Sequence, residues 1–296
     1  MNSQGPLTVS ALARQLGVAP STLRTWDRRY GVGPSSHDVG ANRLYNPSDV
    51  ALLTAMRKLV IMGVPPADAA ARAKAGFIST PSEPVRSASG CPHVDSSQAE
   101  ILYRASQAFN REIVEAIIRE EIKVNGVVEA WNCVLTPLLI RIGEQWEIDG
   151  SGIGTEHFVT EIIKRVLGEP IAELTNPINS RPVLVACIGE EIHSLAVRAL
   201  VATLAERQIE SQFLGARIPQ VALNEVIKRS APPAVFLWAQ LSANADLEYI
   251  HQLPALRPAP RIIVGGPGWQ GTSCPDATYV VDLEQAAEEI ARAVGA

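Results

Sequence analysis

Long apolar runs are missing from this 296-residue sequence: none reaches the ~18 residues that a membrane helix needs. The opening MNSQGPLTVS has neither the basic nor the apolar region of a secretory leader. Both absences make a cytoplasmic protein with no membrane partner the expectation. Cysteine is scarce as well. The four present, Cys91, Cys133, Cys187 and Cys274, have neither metal-ligand nor paired spacing, so reduced thiols are expected. With 47% hydrophobic and 19% charged residues, what remains is ordinary globular material, long enough for two or three domains.

Charge is unevenly placed. Residues 1–76 carry nine Lys/Arg against four Asp, a surplus of five positive charges in a chain whose net charge is −5, which leaves ten negative charges on the rest. A basic head on an acidic body suits a nucleic-acid-binding domain joined to a sensing or assembly domain.

The head reads as closely spaced helices. Thr8 caps a first helix running to Gln15, with Val9, Leu12, Ala13 and Leu16 on its apolar face and Gly17 as its stop. A second begins near Ser21. Leu23 and Trp26 face inward there, while Arg24, Arg28 and Arg29 reach outward, the geometry of a helix-turn-helix whose second helix enters the major groove. Residues 31–45, ending in Arg43-Leu44-Tyr45, read as a wing. Asn46-Pro47-Ser48-Asp49 then opens another helix with a cap, a first-turn proline and an acid near the positive end of the dipole.

Residues 77–97 form a linker rich in Ser, Pro and Gly. Four helical segments follow over 98–178: two over 98–109 and 111–124, a third from Gly126 to Trp146 with a bend expected at Pro137, and a fourth from about Thr155. Short connections make a four-helix bundle the expected arrangement. From residue 179 the period changes. PVLVACIG, SQFLGA, AVFLWAQL, RIIVGGPG and ATYVVDL read as strands separated by helices, so residues 179–296 are expected to form a doubly wound parallel sheet of Rossmann-like type. Its ligand would sit at the carboxyl ends of the strands. Glu191 and His193 fall in the first such loop, and Gly265-Gly266 follows the fourth strand, where missing side chains would let a ligand approach the backbone.

At LRTWDRRYG followed by NRLYNPSDV the head resembles the MerR family of winged helix-turn-helix regulators. That resemblance implies that Thr22, Arg24, Arg28 and Arg29 face bases or phosphates of double-stranded operator DNA, while Arg43 and Tyr45 hold the wing on the backbone. Trp146, nine residues, Glu156-His157, then Glu191-x-His193 and Gly265-Gly266 occur in the order found in the cobalamin-binding modules of light-sensing regulators. Each signal alone has a plainer reading: surface decoration for Glu-x-His, bundle core for Trp146, a turn for Gly-Gly. Together with the head, they make the whole chain similar to the CarH/LitR group. The resemblance implies a corrin between bundle and sheet, with His193 as lower cobalt ligand and Glu191 polarising its imidazole. Trp146, Glu156 and His157 would cap an upper face that carries adenosyl.

Three positions depart from that group. Ala196 stands where the lower-ligand motif ends in glycine, and Trp238 stands where a small Ser-x-Leu or Ser-x-Thr element usually lines the nucleotide-tail pocket. An inward tryptophan would fill the tail slot and an outward one would be core. Glu147 replaces a histidine that could capture cobalt after photolysis. Two functions therefore compete. One is a non-enzymatic repressor whose oligomerisation, as dimer or tetramer, and operator binding respond to adenosylcobalamin and light. The other is a cofactor-free module of the same architecture, serving as a scaffold for oligomerisation or for an antirepressor.

Overall fold

A computed structural model describes residues 7–35, 44–61, 66–74, 96–149, 152–272 and 274–296. Most of the expected linker and Arg43 lie outside these residues. The chain divides into two compact units, Met1–Ser87 with Gln145–Ser151, and Ala88–Glu144 with Gly152–Ala296.

In the first unit, strand β1 (Leu7–Thr8) leads into helices α1 (Val9–Gln15) and α2 (Pro20–Tyr30). Strand β2 (Leu44–Tyr45) pairs antiparallel with β1, and helices α3 (Pro47–Ile61) and α4 (Pro66–Lys74) follow. Thr8 caps α1 as its sequence position requires, its Oγ1 accepting from the Ala11 N–H at 3.3 Å. Helix α2 stops at Gly31, which takes φ 62°, a conformation glycine adopts without penalty. Leu12, Leu23, Trp26, Tyr45, Leu53 and Met56 close the core beneath. Two basic side chains serve the fold: Arg57 Nε donates to the Leu16 carbonyl at 3.2 Å, and Lys74 Nζ to the Tyr30 carbonyl at 2.5 Å, each binding the C-terminal end of a helix. Buried Asp49 accepts from the Asn46 N–H at 3.0 Å, while Asn46 Oδ1 accepts from the Asp49 N–H at 2.9 Å, a reciprocal cap on α3. The same carboxylate also accepts from the Ser35 N–H at 3.2 Å.

The second unit begins with helices α5 (Ser96–Gln107), α6 (Arg111–Ala130), α7 (Thr136–Asp149, whose last residues from Gln145 belong to the first unit), α8 (Ile153–Val166) and short α9 (Gly168–Glu173). Helix α6 is broken at Gly126, where φ is 80° and ψ 168°, so the two helices expected on either side are indeed distinct. The Val127 N–H freed by the break is bound at 3.1 Å by both carboxylate oxygens of Glu206, far along the chain. The bend expected at Pro137 takes another form, a wide π-helical turn over Trp131–Leu135. Proline has no N–H for the carbonyl four residues back, and the wide turn lies where that bond is lost. The stretch Arg111–Gln145 has the length of a membrane helix, and one 18-residue window in it reaches a mean hydropathy of 1.2. Its apolar residues Val114, Ile118, Val127, Leu135 and Ile142 are instead the core of the bundle.

The sheet domain runs β3 (Val183–Cys187), α10 (Leu195–Glu206), β4 (Ser211–Phe213), α11 (Gln220–Ser230), β5 (Ala234–Trp238), α12 (Leu247–His251), β6 (Arg261–Gly265), β7 (Thr278–Val280) and α13 (Leu283–Val294). All five strands are parallel in the order β4-β3-β5-β6-β7. The order reverses at β3, so the crevice for a ligand opens at the carboxyl ends of β3 and β5. Strand alternation splits the core: Val183, Val185, Cys187 and Phe236 pack towards α10 and α13, whereas Leu184, Ala186, Leu237 and Ala239 pack towards α11 and α12. Ala199 and Ala202 of α10 enter the bundle core, so this helix belongs to both layers. Cys187 and Cys274 are free thiols as expected, but Cys133 is disulfide-bonded, a pairing that sequence spacing did not reveal.

Candidate functional site

The loop from β3 to α10 crosses the switch point, and Glu191 is its anchor. This carboxylate has no exposed surface. Its Oε1 accepts from the His193 N–H at 2.9 Å and lies 2.5 Å from His193 Nδ1. Its Oε2 accepts from the Gln240 and Leu241 N–H groups at 2.8 and 3.1 Å and from Asn244 Nδ2 at 3.0 Å. One buried anion thus ties the loop after β3 to the loop after β5. Burial, the largest single influence, pushes the carboxyl upward, but hydrogen bonds from the His193 ring, Asn244 and the His193 amide together outweigh it and bring the pKa down to about 2. Nearby, burial and the Glu191 charge push the Cys187 thiol up to about 12, so that thiol stays protonated and is no metal ligand at neutral pH.

With Nδ1 committed to Glu191, the half-exposed His193 ring has Nε2 left to bind a metal, the arrangement in which a carboxylate fixes an imidazole's tautomer and raises its basicity. Among the described residues no group of three or more His, Cys, Asp or Glu could hold a metal ion by itself. A single backed imidazole therefore suits a metal that brings its own equatorial ligands. A corrin does so, and this donor set fits it.

The far side of the crevice departs from expectation. At Gly265 and Gly266 a side chain is excluded by this chain's own atoms. A Cβ on Gly265 would lie 2.6 Å from the Phe236 ring, and one on Gly266 would strike the Ala239 carbonyl and approach Trp238 Cδ2 to 3.2 Å. Their missing side chains make room for this chain's own. Trp238 is inward: it packs with the residues facing α10 and α13, and its indole Nε1 is buried without a hydrogen-bond partner. Ala196 is half-buried on the first turn of α10.

Glu156 and His157 stand exposed on the first turn of α8. One turn further, Glu161 is held below the usual carboxylate range chiefly by its hydrogen bond from Lys164, with smaller contributions from Arg198 on α10 and from His157. Arg198 lies 5.5 Å over the Phe213 ring at the end of β4, and its Nε is buried without a partner. Trp146 lies on α7, but its side chain, like that of Glu147, falls outside the described residues. Sequence reading missed Asn244, Arg198 and the Gln240 and Leu241 amides; the only signal was the register of the two loops at a switch point.

In the head, Arg24, Arg28 and Arg29 are exposed along α2 and Thr22 is half-buried. Tyr45 has no exposed surface and belongs to the core, whereas its expected contact was with the DNA backbone. Its ring sits under β2, where alternation turns Leu44 outward at 42% exposure and Tyr45 inward.

Comparison with known proteins agrees with this geometry. Residues 7–75 match the MerR HTH family regulatory protein model and residues 98–169 match the B12 binding domain model. The HTH-type transcriptional repressor CarH of Myxococcus xanthus is 27% identical over 273 residues, covering 89% of this chain and 87% of that protein. The repressor CarA of the same organism is 26% identical over 269 residues, covering 88% and 87%. The Methanosarcina barkeri monomethylamine corrinoid protein superposes with a TM-score of 0.51 at 13% identity, over 67% of this chain and 99% of its own, a likeness of fold. The chain thus joins a segment that matches the MerR HTH family to one that matches the B12 binding domain, and it is similar over most of its length to two transcriptional repressors.

Proposed function

We propose that this protein is a cytoplasmic repressor that binds double-stranded operator DNA through α2, and whose assembly as a dimer or tetramer responds to adenosylcobalamin held at His193. The observation that carries this reading is the pairing of a lone imidazole with a fully buried carboxylate at the switch point, a donor set made for one axial position. Glu156, His157 and Trp146 would cover the opposite face of the ring, and Glu191 would keep the His193 ring oriented. When bound, an adenosylated corrinoid supplies a light-sensitive carbon–cobalt bond. A ligand that binds the assembled form more tightly shifts the population towards it, and several heads on one promoter neutralise many phosphates at once.

The test is absorption after gel filtration. Protein incubated in the dark with adenosylcobalamin should retain a corrin band and elute earlier than the untreated protein, and green light should reverse the shift. His193→Ala should lose the band. A colourless wild type with unchanged elution would refute the reading and favour a cofactor-free scaffold for oligomerisation or for an antirepressor, the alternative that the inward Trp238 supports.

A further inference from the structure

A cobalt ion offers one lower axial position. If His193 takes it, as the proposed function requires, the nucleotide base tethered beneath the ring would be displaced towards the His193 side, where a face of the sheet could receive it only if that face had room. A tryptophan stands on each face at that end. Towards α10 and α13 the Trp238 indole packs with Phe236 and Cys187 and leaves its Nε1 buried without an acceptor. Towards α11 and α12, Trp269 is 1% exposed, and its Nε1 is likewise buried without an acceptor. Between them the five-way bonding of Glu191 joins the loops after β3 and β5. Trp238 is packed against the core on its face, and moving an indole out of packed surroundings costs more than leaving a soluble nucleotide in water.

We infer that Trp238 fills the position a nucleotide tail would occupy, so that this module recognises the corrin ring and its cobalt but not the lower nucleotide. The tail of a complete cobalamin stays outside the sheet domain and adds little to its affinity. Corrinoids without a nucleotide are ligands of equal standing. The inference rests on the His193 reading above and narrows its ligand class.

The test is equilibrium titration of the full-length protein in the dark, followed by absorption, with adenosylcobalamin and with adenosylcobinamide, which lacks the nucleotide. Wild type should bind the two within about threefold of each other. Trp238→Ser should open the slot and favour adenosylcobalamin by about tenfold or more, whereas Trp238→Phe, which keeps the bulk, should behave as wild type. A wild type that prefers adenosylcobalamin by about tenfold overturns the inference and leaves the corrinoid-sensor reading standing. Failure of both corrinoids to bind wild type and every variant overturns the two together. The wild-type ratio decides the matter even if Trp238→Ser does not fold.

Discussion

Glu191 holds its place by giving one carboxylate to five donors on two loops, and each donor would be stranded without it. Glu191→Ala should leave the Gln240 and Leu241 amides and Asn244 unsatisfied, at a cost of about 1–3 kcal/mol or more in urea unfolding. Corrinoid affinity should fall by about 10–100-fold in the same protein, because the His193 ring loses its orienting partner. Unchanged affinity would show that the ring is held by something other than Glu191. The Glu-x-His spacing was legible in the sequence, since any two residues so placed on a short loop can meet. Asn244 was not: it lies 53 residues away, and only the parallel pairing of β3 with β5 brings it there.

At the scale of the element, local chemistry was easiest to read. The Thr8 cap, the Gly17 stop, the break at Gly126 and all five sheet strands follow from propensity and alternation. The π-helical turn escaped, as did the direction of Trp238, because both are settled by what packs against them. For α2, replacing Arg24, Arg28 and Arg29 in turn by alanine should weaken operator binding. Each residue that touches a phosphate should reduce the slope of log affinity against log salt by about 0.9, and a slope that does not change would assign that arginine elsewhere. For the junction of α6 with α10, burial pushes the Glu206 carboxyl upward and its bond from the Val127 amide only partly offsets this. A carboxyl raised in the folded state stabilises the protein while protonated and loses that contribution as pH rises through the folded value. Glu206→Gln should therefore gain stability relative to wild type as pH rises from about 4 to 7, read from urea midpoints. A difference that does not vary with pH would mean that the carboxylate is fully compensated.

For the whole molecule, the proposed function is a linkage between a ligand and an assembly state. A corrinoid present at a hundredfold excess over its Kd should raise unfolding stability by about 2.7 kcal/mol, detectable as a higher Tm, if it binds only the folded chain. The division into a basic head and an acidic body was visible in the charge count alone, although two of the head's cations, Arg57 and Lys74, turn out to tie down helix ends. The clasp at Asp49 holds the Ser35 and Asn46 amides on one carboxylate, so the chain that follows α2 and the entry to α3 share a single anchor, and its loss would loosen both at once.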